Sequence, residues 1–86
     1  MFELRNNFPN PFSDYTTIAY QIPSPGYVLL TIYDTQGKLI AIPVNETVQG
    51  GYHELRIYTD GWKPGVYFYS IQVKGYTATR QMILLK

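Results

Sequence analysis

Between Pro64-Gly65 and Lys74-Gly75 the sequence reads Val66-Tyr67-Phe68-Tyr69-Ser70-Ile71-Gln72-Val73. Aromatic and β-branched residues dominate this stretch, the composition that a pleated, half-buried surface selects. Alternation at a period of two places Tyr67, Tyr69, Ile71 and Val73 on one face and Val66, Phe68, Ser70 and Gln72 on the other. The first set is uniformly large and apolar-bodied and is expected to face a core. The second turns polar after Phe68, which a loop or terminal segment is expected to cover.

The same period recurs along the chain. Residues 16–22 are predicted as a strand with Ile18, Tyr20 and Ile22 inward, closed by the turn residues Pro23-Ser24-Pro25-Gly26. Residues 27–34 follow with Val28, Leu30 and Ile32 inward. Asp34-Thr35-Gln36-Gly37 fits a type I turn, with Asp bonding the backbone and Gly taking positive φ. It makes a hairpin with residues 38–44, where Ile40, Ile42 and Val44 are expected inward and Pro43 outward on an edge. Residues 45–51 read as a loop. Residues 52–58 form the next strand, with His53, Leu55 and Ile57 on one face, and 59–64 turn the chain around Trp62. The last strand, 76–85, joins its predecessor through Lys74-Gly75. No window holds a helical period. Residues 1–15, with Pro9 and Pro11, read as an irregular arm pinned by Phe8 and Phe12. The expectation is an all-β fold: an antiparallel β-sandwich of six strands over residues 16–86, with 1–15 as linker and arm. A single open sheet would leave an apolar face wet.

Composition narrows the chemistry more than it defines it. At 86 residues, one small core is the limit. Cysteine is absent, which removes disulfides, cysteine nucleophiles and thiolate metal sites. The net charge of +1 is too small to draw the whole domain to nucleic acid. Residues 1–60 carry three bases against six acids, whereas 61–86 carry Lys63, Lys74, Arg80 and Lys86 with no acid. That asymmetry reads as solvated charges on edge strands. No apolar run approaches the roughly 20 residues of a membrane helix, and no signal-peptide pattern opens the chain.

No catalytic constellation emerges. His53 is the only histidine and lacks a second imidazole to share a metal with, so it reads as structural. Asp14, Asp34 and Asp60 occupy turn positions, where bonding to nearby backbone accounts for them. Asn45-Glu46-Thr47 matches a glycosylation acceptor. Tyr27, Tyr33, Tyr52, Tyr58 and Trp62 are expected to cover sandwich edges rather than to bind sugars. The chain is therefore expected to be no enzyme and to need no cofactor or metal.

Phe8-Pro9-Asn10-Pro11-Phe12, then Thr16-Thr17-Ile18 and Ile22-Pro23, resembles the opening of the C-terminal sorting domains of the type IX (Por) secretion system of Bacteroidetes. Ile32-Tyr33-Asp34 with Gly37-Lys38, Gly65-Val66-Tyr67-Phe68-Tyr69, and Arg80-Gln81-Met82-Ile83-Leu84-Leu85-Lys86 resemble that family's later motifs in the same order. Ile57 departs from the pattern where tryptophan is frequent, and Gln81 where a second basic residue is frequent. The resemblance implies an all-β, immunoglobulin-like antiparallel β-sandwich of six to seven strands, serving as a non-catalytic secretion signal covalently continuous with an upstream cargo domain. It implies export through the periplasm to the outer-membrane surface or beyond, with an outer-membrane translocon and a sortase-like peptidase as partners. Two alternatives stay open: an immunoglobulin-like structural module like that of the flagellar hook-capping protein, and a carbohydrate-binding accessory domain. For the sorting reading, Arg80, Ile83, Leu85 and Lys86 are the expected recognition residues. Met82 and Leu84 are expected to anchor inward, with the apolar pair Ile83 and Leu85 left outward beside the chain end. Either a receptor takes that tip, or the Phe8–Phe12 arm covers it.

Overall fold

A computed structural model describes residues 1–85. Seven strands are present: β1 (Glu3–Leu4), β2 (Tyr15–Ile22), β3 (Gly26–Asp34), β4 (Leu39–Val48), β5 (Gly51–Tyr58), β6 (Gly65–Val73) and β7 (Tyr76–Leu84). They form two antiparallel sheets, β1-β2-β5 and β4-β3-β6-β7. The chain crosses between the sheets after β2, β4 and β5, as expected of an immunoglobulin-like sandwich.

The core lies between the sheets. Ile18, Tyr20 and Ile22 of β2, with Ile57 of β5, meet Val28, Leu30 and Ile32 of β3 and Tyr67, Tyr69, Ile71 and Val73 of β6. The period-two reading of these faces holds because each strand pairs regularly at its centre. Lys74 and Gly75 both take positive φ in the two-residue β6–β7 turn, the geometry that matches strand twist. The Asp34 turn closes as predicted: Gly37 N–H donates to Asp34 O at 3.1 Å, and Asp34 Oδ1 accepts from Gln36 and Lys38 N–H at 2.9 Å.

β4 departs from the expectation twice. Its pairing with β3 slips between Leu30 and Ile32 and again between Ile32 and Tyr33, and each slip adds a residue to β4. Such bulges reset alternation. Val44 therefore points inward while Ile42 is 46% exposed and Pro43 is half-buried, the reverse of a regular strand. The strand also continues through Asn45-Glu46-Thr47 to Val48, where a loop was expected. An edge strand tolerates that polar run because backbone pairing to β3 does not depend on side-chain burial. Gly50 then turns the chain so close to Ser24 that an added Cβ would stand 2.9 Å from its Cα.

The N-terminal arm is ordered along the open side of the sandwich. Leu4 pairs with Tyr20, and Phe8 bridges Thr17, both on β2. Phe12 makes a parallel bridge to Leu84 on β7. The arm thus runs parallel to β7, from Phe2 stacked on Tyr76 at 5.1 Å to Phe12 beside Leu84. Asn7 Nδ2 donates to Thr16 Oγ1 at 2.9 Å, and Thr16 Oγ1 donates to Pro9 O at 2.8 Å. Phe12 is buried and does pin the arm; Phe8 does not, being 79% exposed. Pairing of its backbone with Thr17 turns its ring away from the core.

Candidate recognition site at the C-terminal strand

β7 pairs with β6 without a register shift from Tyr76 to Leu84. Regular alternation then buries Met82 and Leu84 at 0% and 1% exposure, leaves Ile83 half-buried, and exposes Leu85 at 58%. Arg80 shares the phase of Met82 without any bulge. Its charge avoids the core because it stands at the rim: Nε donates to Leu4 O at 2.6 Å, and a terminal guanidinium nitrogen donates to Asn6 Oδ1 at 3.2 Å. The fork ties the arm to β7, a task that suits a planar, permanently charged donor.

The arm also closes the edge of β7. Phe12 N–H donates to Ile83 O at 3.0 Å, and Leu85 N–H donates to Phe12 O at 2.8 Å. Asn10 spans the gap before them, accepting from Ile83 N–H at 2.9 Å and donating to Gln81 O at 3.4 Å. The backbone of Ile83 and Leu85 is therefore already paired, while the Leu85 side chain remains in solvent. Of the sequence-predicted site residues, Ile83 and Leu85 stand together at the tip and Arg80 lies farther back along β7, bound to the arm. Lys86 lies outside the described residues.

The Phe8–Phe12 arm, expected as one possible cover for the tip, does pair the backbone there but leaves Leu85 exposed. Sequence reasoning missed Asn10 as the residue that bonds Ile83, and missed Leu4 and Asn6 as partners of this strand. The one available signal for Asn10 was its place between two prolines, which lack backbone donors, so that its side-chain amide can supply both a donor and an acceptor.

Behind the tip, Tyr69 is fully buried, and its hydroxyl donates to Arg5 O at 2.6 Å. Burial raises its pKa from 10.0 to about 12, while the Asn7 backbone and Arg80 act in the opposite direction. A folded-state value above the unfolded one means the folded state holds this proton more tightly. Its contribution is complete below pH 10 and is lost as pH rises toward 12. The urea midpoint is therefore expected to fall more steeply between pH 9 and 11.5 in the wild type than in Tyr69→Phe. Equal slopes would place that alkaline loss on other tyrosines.

Elsewhere, His53 is half-buried, stacked on Tyr20 at 5.3 Å, with Nε2 2.6 Å from Gln49 O. No group of three metal-ligating side chains occurs among the described residues, and no helix is long and apolar enough to cross a membrane.

The profile of the family described as secretion system C-terminal sorting domain matches residues 6–85, from the arm to the exposed tip. The chain belongs to this family. No curated protein and no solved structure matches it. The matched span of this type IX sorting domain takes in both partners of the seam, Asn10 and Phe12 on one side and Ile83 and Leu85 on the other. The match takes in β2 to β7 and the arm from Asn6 onward, and the family is one of sorting signals rather than of known catalytic domains.

Proposed function

We propose that this sorting domain is the address of a larger cargo protein, fused upstream of it, which it delivers through the type IX outer-membrane translocon to the cell surface. A sortase-like peptidase then separates the two. The observation that carries this reading is the built tip of β7. Met82 and Leu84 lock the strand into the core, Phe12 and Asn10 pair its backbone, and Leu85 is nonetheless held out in water. An apolar side chain held out beside a backbone-paired strand end is a preformed anchor for a pocket on a receptor. Strand addition directly onto this edge is disfavoured, since Phe12 occupies it. Ile83, Leu85 and Lys86 are the contact residues in this proposal, and Arg80 positions the strand through its bonds to Leu4 and Asn6.

The test fuses residues 1–86 to a periplasm-exported reporter in a type IX-competent host. Leu85→Ser is expected to leave the melting temperature unchanged and to reduce surface delivery at least tenfold, roughly what burial of one leucine in a pocket supplies. Equal delivery by Leu85→Ser would remove the tip from the signal. Absence of delivery by the unaltered domain would remove the sorting function itself.

A further inference from the structure

The two sheets present four edges, and three are protected. The arm occupies the edge of β7, β1 is only two residues long, and β4 carries Pro43 and two register slips. Covering, shortening and bulging are the usual ways an edge avoids pairing with another chain. β5 shows none of them. Its eight residues, Gly51–Tyr58, pair with β2 without a slip, contain no proline or lysine, and have no strand on their other side among the described residues.

Its outward face is ordered Tyr52, Glu54, Arg56, Tyr58, all exposed. Neither Glu54 nor Arg56 carries an ion pair among the described residues; Glu54 accepts from the Tyr52 hydroxyl at 3.0 Å, and Arg56 lies over the Tyr15 ring at 4.4 Å. The row is self-complementary when read against itself in reverse. Two-fold antiparallel pairing sets residues of one face directly opposite each other, so each symmetric register is centred on a residue. Centring on Glu54 opposes two glutamates, and centring on Arg56 opposes two arginines. Centring on Leu55 opposes Glu54 with Arg56 twice and Tyr52 with Tyr58 twice. Opposite charges and aromatic pairs in directly facing positions stabilise a sheet, and like charges destabilise it.

We propose that β5 is a homotypic docking edge: two copies of the domain pair β5 against β5 in the register centred on Leu55, joining their three-stranded sheets into one of six strands. The contact is short and is expected to be weak and reversible, with a dissociation constant in the micromolar to millimolar range. It stands apart from the tip of β7 and does not rest on the sorting reading.

The experiment is sedimentation equilibrium of the whole chain across that concentration range. Wild type is expected to fit a monomer–dimer equilibrium. Glu54→Arg and Arg56→Glu each place like charges opposite one another twice, and each is expected to raise the dissociation constant at least tenfold. Both side chains are exposed, and each reversal removes only one surface contact, with Tyr52 or with the Tyr15 ring, so thermal melts should show both variants folded with midpoints only slightly below the wild type. An equimolar mixture of the two variants pairs arginine with glutamate at every facing position and is expected to dimerise again. Wild type that stays monomeric to millimolar concentration, variants that associate like wild type, or a mixture that stays monomeric would each overturn the proposal.

Discussion

Replacing Tyr69 with alanine is expected to lower the domain's stability by about 3–5 kcal/mol, the usual cost of truncating a large buried aromatic. Tyr69 stands opposite Ile32 on β3 and Arg80 on β7, and none of its surface reaches water. Two losses combine. The ring leaves a cavity where both sheets meet, and the Arg5 carbonyl loses the hydroxyl that bonds it at 2.6 Å. Small domains are stable by about 5–15 kcal/mol in all, so the variant should sit near its unfolding transition at room temperature. Urea denaturation provides the measurement, and a loss under about 1 kcal/mol would contradict the inward assignment of this face. Tyr69→Phe separates the terms, since it keeps the ring and removes only the bond, for about 1–2 kcal/mol.

Phe12→Ala is expected to cost about 3–4 kcal/mol and to have a second, local effect. Phe12 is the one buried aromatic of the arm, and its backbone closes the edge of β7 on both sides of Leu84. Without its ring, those hydrogen bonds should open while the sandwich stays folded. In native-state hydrogen exchange, the amides of Phe12 and Leu85 should lose far more protection than that of Ile71 in β6. Protection that falls equally at all three would mean that arm and sandwich unfold as one unit.

The inner faces of β2, β3 and β6 were legible in the sequence because regular pairing preserves the two-residue period and each face is apolar without interruption. β4 was not legible, since a bulge is fixed by what the neighbouring strand offers and leaves no mark in the period of its own strand. Asn45-Glu46-Thr47 looked like a loop for a related reason: polarity measures burial, and an edge strand held by backbone bonds needs little of it. At the tip, Met82 and Leu84 inward and Leu85 outward followed from alternation alone. The partners of the same strand did not. Arg80 bonds Leu4, which lies 76 positions earlier, and Asn10 bonds Ile83 across 73. Pairing at that separation is dictated by how the sheets close; the sequence offered the Phe8–Phe12 arm as a cover for the tip, but not which of its atoms bond β7. Phe8 and Phe12 are the same residue type four positions apart, and only the path of the backbone between the sheets decides which is buried.

That path also sets how the domain responds to force. The arm and β7 run side by side in the same direction, so the chain enters at the Tyr76 end of the seam and leaves at the Leu84 end. Tension between the two ends slides the arm along β7 instead of peeling it away. The bonds of Arg80 to Leu4, Asn10 to Ile83 and Phe12 to Leu85 are then loaded in shear together, and the seam must yield as a whole before either sheet is pulled apart.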